Sequence, residues 1–180
     1  MAKRRLIAHP DFPRPAIEAF DIELSRAGET MLSIAYLIAG DVAALLTPAP
    51  AIPARRDELW RHTCFEAFIQ DGDGYAEVNL SPSGEWAAYR FDGYRAGMRA
   101  AAIAAPPVIA TAVEPRRLIV RAAIDLAGLI APGPARIGLS AVIEAKDGSK
   151  SYWALAHPEG KPDFHHRACF AIELPAPDRA

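Results

Sequence analysis

Apolar and polar positions alternate over short segments of this chain, and turn-forming residues separate the segments. Residues 20–26 (FDIELSR) alternate strictly between apolar and polar side chains, the period of a β-strand with one buried face. Residues 30–39 (TMLSIAYLIA) are mostly apolar, which fits a strand buried on both faces. Because a turn at residues 27–29 lies between them, the two segments are predicted to form a hairpin.

The stretch from residue 59 to residue 95 carries the densest pattern of this kind. Turn residues cluster at positions 71–74 (DGDG), 81–84 (SPSG) and 92–93 (DG), and apolar runs lie between the clusters. Short apolar runs separated by such turns are typical of consecutive antiparallel strands. This stretch is therefore predicted to be a meander of three strands.

The rest of the chain adds strand-like segments and little helix. Five more segments have the strand pattern: residues 108–114, 117–126, 136–145, 151–156 and 168–174. Residues 1–16 are predicted to be an extended arm or an edge strand. Residues 41–46 fit a strand end or a single helical turn, and residues 125–130 fit a single helical turn. About ten strands at this spacing predict an all-β, antiparallel sandwich or barrel. With no repeat or internal boundary, residues 1–180 are interpreted as a single domain.

Composition narrows the classes of partner. The chain has 20 basic and 22 acidic residues, a net charge of −2, and no basic stripe that would neutralise phosphates, so no nucleic-acid partner is expected. No apolar run is long enough to span a membrane, and the N-terminal apolar stretch is too short for a signal peptide. A cytoplasmic protein is therefore expected. Cys64 and Cys169 form no metal or redox motif and are predicted to be buried free thiols.

Polar side chains interrupt several predicted strands, and these are the candidates for a ligand site. In residues 64–70 both faces are apolar except at Glu66, and burying an unpaired carboxylate is costly. Glu66 therefore needs a partner or a wet cleft. One arrangement puts the interrupting residues on one sheet face, as a polar cleft with aromatic walls: Glu66, Asn79, Arg121 and Trp153, with Glu77, Trp86 and His157 as further members. The alternative is a buried Glu66–Arg121 ion pair with no other role.

Such a cleft suits a small polyhydroxylated or planar ligand. Aromatic rings cover C–H surfaces, while polar side chains fix hydroxyl or carboxyl groups. Each tryptophan can instead belong to the core or its rim. The predicted ligand-binding residues are Trp60, Trp86 and Trp153 for stacking, and Glu66, Asn79, Arg121 and His157 for hydrogen bonds.

Catalytic and metal signatures are absent from the sequence. It contains no GxSxG, HExxH, P-loop or GxGxxG motif, so a protein that is not an enzyme is predicted. Glu66 and Glu77 as a glycosidase pair are a weak alternative, because two Glu on neighbouring strands are common. The loop at residues 157–166 holds three of the five His, but no spacing there matches a zinc site, and no metal is predicted.

Three segments, LWRHTCFEAFI, YAEVNLSPSGEWAAYRFDGYR and SYWALAHPEGKPDFHHRACFAIEL, resemble DOMON-like proteins related to the family nine carbohydrate-binding modules. The resemblance covers roughly residues 55–174. In that family one strand carrying a (C/D)xE.FI pattern precedes a YxExxxSPxG pattern. The matching positions are Cys64, Glu66, Phe68, Ile69, Tyr75, Glu77, Ser81, Pro82 and Gly84.

The resemblance implies a jelly-roll-like β-sandwich that binds a sugar or, in other DOMON relatives, haem. Family nine modules hold a sugar between two Trp, but which two of the three Trp here would pair stays open. Haem-binding relatives use Met and His ligands; since no Met pairs clearly with a His, no cofactor is predicted and haem remains an alternative. A protein-interaction domain is the other alternative, and the oligomeric state is not predicted. Those modules usually accompany secreted enzymes, so the missing export signal favours a small intracellular ligand or an intracellular partner.

Overall fold

The chain folds into two antiparallel β-sheets that pack face to face in the computed structural model, which describes residues 2–13 and 17–174. Thirteen strands occur within these residues. They are β1 (Ala2–Arg5), β2 (Ile7–Ala8), β3 (Ile17–Ala27), β4 (Met31–Gly40), β5 (Cys64–Asp71), β6 (Gly74–Leu80), β7 (Trp86–Phe91), β8 (Arg99–Ala100), β9 (Val108–Glu114), β10 (Arg117–Asp125), β11 (Ala135–Glu144), β12 (Lys150–Ala154) and β13 (Ile172–Leu174). The predicted all-β, antiparallel sandwich is confirmed.

The two sheets differ in size and in strand order. The smaller sheet has five strands in the order β1-β3-β4-β10-β9. The larger has eight, in the order β2-β12-β11-β5-β6-β7-β8, with β13 paired to β11. Both the β3–β4 hairpin and the β5–β6–β7 meander are as predicted. The hairpin belongs to the smaller sheet and the meander to the larger.

Helical structure among the described residues is limited to three short 3-10 turns, Val42–Ala44, Leu59–Arg61 and Arg167–Cys169. The first lies in the segment predicted to be a strand end or a helical turn. The third corrects the prediction of a strand over residues 168–174, because only Ile172–Leu174 pairs with β11. No helix in the described part of the chain is long and apolar enough to cross a membrane.

The main core lies between the sheets and is built by alternation. Inward side chains of β5 (Phe65, Ala67, Ile69) meet those of the smaller sheet, such as Phe20 and Tyr36. The Tyr36 hydroxyl donates a hydrogen bond of 2.8 Å to the Glu66 carbonyl oxygen and so ties the two sheets together. The opposite side chains of β5 therefore point away from the core, to the outer face of the larger sheet.

A second, smaller core covers part of that outer face. The segment of residues 157–170, called here the cover segment, lies over the sheet and buries Phe164 and Phe170 against Phe68 and Tyr75. Gly138 on β11 permits this contact, since a Cβ at that position would lie 2.6 Å from Phe170 Cδ1. Both cysteines belong to this region and are buried and free, as predicted.

Candidate functional site

A cavity of about 410 Å³ opens on the outer face of the larger sheet. Its floor comes from β5 and β6, and its sides come from the 3-10 turn Leu59–Arg61, the loop after β7 and the cover segment. Strand pairing places the floor residues together, because Glu66 lies opposite Asn79 and Phe68 lies opposite Glu77. Side chains at these positions alternate away from the main core and therefore face the cavity.

Glu66 is the most buried acidic group of the floor, with only 3% of its surface exposed. Its Oε2 accepts a hydrogen bond of 2.9 Å from Ser140 Oγ on β11. Among the described residues, Oε1 has no hydrogen-bond partner. Burial and, next, the neighbouring Glu77 raise the pKa of the Glu66 carboxyl, while Ser140 and Arg95 act in the opposite direction.

Glu77 is the second carboxyl of the floor. Its Oε1 accepts a hydrogen bond of 2.9 Å from Asn79 Nδ2, and its Oε2 lies 3.8 Å from His165 Nε2. Burial raises the pKa of Glu77 too, against the opposing effects of Asn79 and Arg95. Asn79 is fully buried, and its Oδ1 has no partner among the described residues, so the floor presents acceptors in excess of donors.

His165 of the cover segment contacts the cavity floor through both of its ring nitrogens. The Tyr75 hydroxyl accepts a 3.2 Å bond from the Arg95 backbone N–H and lies 2.7 Å from His165 Nδ1. His165 Nδ1 is thus hydrogen-bonded to the Tyr75 hydroxyl, and the other ring nitrogen, Nε2, faces Glu77. Burial and then Arg95 lower the pKa of His165 to about 4, although Asp163 opposes the shift. His165 is thus uncharged at neutral pH and gives the two carboxyls no counter-charge.

Arg95 is held at the cavity edge by an unusual backbone conformation. Its φ of 52° lies in the left-handed region, which is rare for a residue with a side chain and costs free energy. This conformation aims its N–H at Tyr75, while its guanidinium forms an ion pair of 2.8 Å with Asp163 Oδ1. The Tyr94 hydroxyl donates to the other oxygen of Asp163 at 2.6 Å. The charge of Arg95 is therefore already balanced.

Aromatic side chains form much of the remaining cavity wall: Trp60, Phe68, Phe91, Tyr152 and Phe164. They come from five separate places in the chain, so the wall exists only in the folded protein. Trp60 packs edge-on against Tyr89, with ring centroids 5.8 Å apart. This contact orients the indole beside the cavity.

Of the seven residues predicted to bind a ligand, the structure brings three together. Trp60 and Glu66 line the cavity, and Asn79 lies directly beside it through its bond to Glu77. Arg121 does not join them. It lies on β10 in the smaller sheet, opposite Ala35, and its side chain is exposed on that sheet's outer face. The prediction that Arg121 shares a face with Glu66 is therefore wrong, as is the alternative of a Glu66–Arg121 ion pair.

The other two tryptophans lie in the main core between the sheets. Trp86 and Trp153 are 8% and 6% exposed. The Trp153 ring packs 5.5 Å from Phe20, and its Nε1 donates a hydrogen bond of 2.9 Å to Ser151 Oγ. Their predicted place on the cleft face is wrong, because strand alternation turns both side chains to the opposite side of the sheet from Glu66.

His157 lies outside the cavity wall. Its Nε2 donates a hydrogen bond of 2.9 Å to the Ile7 carbonyl oxygen, and its ring packs against His9 at 4.9 Å. Phe164 stands beside it, with ring centroids 6.3 Å apart, and supplies the cavity surface there. The structure thus places His157 as a contact between the cover segment and the N-terminal strands.

Sequence analysis missed several cavity residues, chiefly Arg95, Met98, Tyr152, Phe164 and His165. The available signal was the aromatic and His-rich sequence of the cover segment, but a loop pattern does not show where a loop folds back. Glu77 was a candidate and does line the cavity. Within the described residues, no group of three or more His, Cys, Asp or Glu side chains is placed to hold a metal ion.

Comparison with known proteins finds solved structures that have a similar fold. No described protein family and no curated protein matches the sequence. A crystal structure of a candidate carbohydrate-binding protein from Bacteroides uniformis superposes with a TM-score of 0.70 at 14% identity, covering 93% of this chain and 83% of that one. A family nine carbohydrate-binding module from Caldicellulosiruptor kristjanssonii, solved with glucose, superposes with a TM-score of 0.54 at 12% identity, covering 97% and 86%. At such identities, the likeness shows a shared β-sandwich fold.

Proposed function

We propose that this chain is a non-catalytic binding domain that holds a small carbohydrate-like ligand in the cavity on the outer face of the larger sheet. The observation that carries the proposal is the cavity itself, about 410 Å³, with two buried carboxyls on its floor beneath aromatic side chains. That volume lies at the lower end of ordinary small-molecule sites. It suits a ligand the size of one or two sugar rings.

Each part of the cavity has a role that fits a sugar. The Trp60 ring offers an apolar face to the C–H side of a pyranose, and Tyr152 and Phe164 enclose it. Glu66 and Glu77 have carboxyl oxygens that accept hydrogen bonds from hydroxyl groups. The fold neighbours support this role, since one is named a candidate carbohydrate-binding protein and the other was solved with glucose.

The proposal is tested by a glycan array followed by calorimetric titration of the sugars that bind. Trp60→Ala removes the stacking surface, so the Kd should rise about tenfold or more. Glu66→Gln should weaken binding without unfolding the protein. Arg121→Ala is the matched control, because Arg121 is exposed on the other sheet and should leave the Kd unchanged. Absence of binding to any sugar would refute the proposal.

Catalysis by the two carboxyls has a direct test. Chromogenic nitrophenyl glycosides release a coloured phenol on hydrolysis, and the non-catalytic proposal expects no release above the Glu66→Gln background. Turnover that disappears in both Glu66→Gln and Glu77→Gln would instead make this cavity an active site.

Haem is the other ligand that the resemblance suggested, and Met98 and His165 do line the same cavity. The residues nevertheless fit haem poorly. His165 Nδ1 lies 2.7 Å from the Tyr75 hydroxyl, and its Nε2 lies 3.8 Å from Glu77 Oε2, so both nitrogens already face protein groups. We therefore propose a site without haem and expect purified protein, incubated with hemin and desalted, to lack a Soret band. A retained Soret band that Met98→Ala abolishes would contradict this.

A further inference from the structure

The cavity floor has two carboxyls and no cationic partner for them among the described residues, and this bears on the charge of the ligand. Two carboxyls, Glu66 and Glu77, form the floor, but among the residues that the structure describes neither forms an ion pair with a Lys or Arg side chain. Arg95, the nearest guanidinium, is paired with Asp163 at 2.8 Å. His165 approaches Glu77 at 3.8 Å, yet it is neutral at neutral pH. A ligand that supplied a positive charge would therefore compensate carboxyls that the protein leaves unpaired.

The unpartnered oxygen atoms of the floor also favour a cationic ligand. Glu66 is 3% exposed and lines the cavity, and its Oε1 accepts no bond within residues 2–13 and 17–174. Asn79 Oδ1, directly beside this pair, is also buried and unpartnered. Glu77 Oε2 has only the long approach of His165. These oxygens need donors, and an ammonium group carries three donors and no acceptor.

The walls suit a cation as well as a sugar ring. Trp60, Tyr152 and Phe164 line the cavity, and the face of an aromatic ring attracts a desolvated ammonium group. A metal ion would gain nothing from these rings and would find too few oxygen ligands. The combination of aromatic walls with an acidic floor therefore favours an organic cation over a metal.

We propose that the ligand is an amino sugar in its protonated form, with its ammonium group against Glu66 and Glu77 and its ring against the aromatic wall. This inference rests on the proposed function and narrows it from carbohydrates in general to a cationic subclass. Neutral sugars would fill the same space but would not favour the ionised form of either carboxyl over the protonated form.

Binding of an amino sugar should release protons from the carboxyls, whereas binding of a neutral sugar should not. In the free protein, burial favours the protonated carboxyls; a bound ammonium favours the ionised ones, so binding releases protons near neutral pH. The other titratable or charged groups that face the pair are His165, Tyr75 and Arg95 from the neighbouring segments, Cys64 beside Glu66 on the same face of β5, and Tyr36 on the core side of the sheet. Neither thiol nor phenol titrates near neutrality here, since burial raises the pKa of each.

The test is calorimetric titration with glucosamine, glucose and N-acetylglucosamine in buffers of different ionisation enthalpy. Glucosamine should bind at least about tenfold more tightly than the two neutral sugars and should release protons. Glu66→Gln and Glu77→Gln should each remove that preference. Glu144→Gln, on the same sheet but outside the cavity, should keep it, and thermal melts establish that each variant is folded.

The possible results distinguish a preference for amino sugars from carbohydrate binding in general. If glucose or N-acetylglucosamine binds as tightly as glucosamine, the cationic preference is overturned and sugar binding stands. If no sugar binds but choline does, the site takes a cation and the carbohydrate role is overturned, together with the amino-sugar assignment. If Ca²⁺ alone binds through Glu66, the carboxyls are metal ligands and the inference fails. If none of these binds, both proposals fail.

Discussion

Burial of a single carboxyl, Glu66, gives the protein a pH-dependent stability. Its pKa is raised in the folded state, so its contribution to stability is fully present below the ordinary carboxyl pKa and is lost as pH rises through the higher folded value. Gln cannot titrate yet can keep the bond from Ser140. In urea unfolding from pH 5 to 9, Glu66→Gln should therefore gain on wild type by an amount on the order of 1–2 kcal/mol. Parallel curves for the two proteins would contradict this.

The Tyr75 hydroxyl is a second side-chain group that should contribute to the free energy of unfolding. It is hydrogen-bonded to His165 Nδ1 and accepts from the Arg95 N–H, so Tyr75→Phe leaves two polar groups without this partner. Such a loss costs about 1–3 kcal/mol of unfolding free energy. Tyr94→Phe is the matched control, since Tyr94 is 61% exposed and water can replace its bond to Asp163. Equal effects of the two substitutions would show that the buried link does not stabilise the protein.

Which side chains meet at the cavity could be predicted only in part, for a physical reason. Alternation within one strand is visible in sequence, so the sequence correctly predicts that Glu66 and Asn79 lie on neighbouring strands, with both side chains on the same face of the sheet. It does not show which face of a distant strand turns inward or which sheet the strand joins. Trp153 and Arg121 were misplaced for these two reasons, respectively.

The contact between β11 and the cover segment is the element on which the cavity wall depends. Gly138→Ala would place a Cβ 2.6 Å from Phe170 Cδ1 and 3.0 Å from the Cys169 carbonyl oxygen, so the segment must move. Overpacking of this kind costs about 1–3 kcal/mol. Hydrogen exchange should rise in residues 157–170 and ligand affinity should fall. Gly93→Ala, where a Cβ meets nothing within 4 Å, should change neither; unchanged exchange in Gly138→Ala would refute the close packing.

Strands joined by short turns were predictable, whereas the cover segment was not. The pairs β3–β4 and β5–β6 follow directly from turn residues and alternation, because their partners are adjacent in sequence. Residues 168–174 show the same apolar pattern, yet Cys169 and Phe170 are buried against the outer face by a 3-10 turn instead of a strand. An apolar run indicates burial; what it is buried against depends on the rest of the chain.

At the level of the whole sandwich, long-range pairings complete both sheets. β4 pairs with β10 and β5 pairs with β11, and neither pairing has a local sequence signal. Residues 1–16 were predicted to be an arm or an edge strand, and the part within residues 2–13 provides an edge to both sheets. β1 pairs with β3 in the smaller sheet, and β2 pairs with β12 in the larger.

Leu6, the residue between these two edge strands, should therefore stabilise the sandwich as a whole. It is 1% exposed within the main core, whereas its neighbour Ile7 is 49% exposed. Leu6→Ala leaves a void where the chain passes from one sheet to the other, which should cost about 2–5 kcal/mol of unfolding free energy. Ile7→Ala removes a similar volume from a half-exposed site and should cost about 1 kcal/mol or less. Urea unfolding of the two variants compares them directly, and a Leu6→Ala cost no larger than that of Ile7→Ala would show that the first strands do not join the sheets energetically.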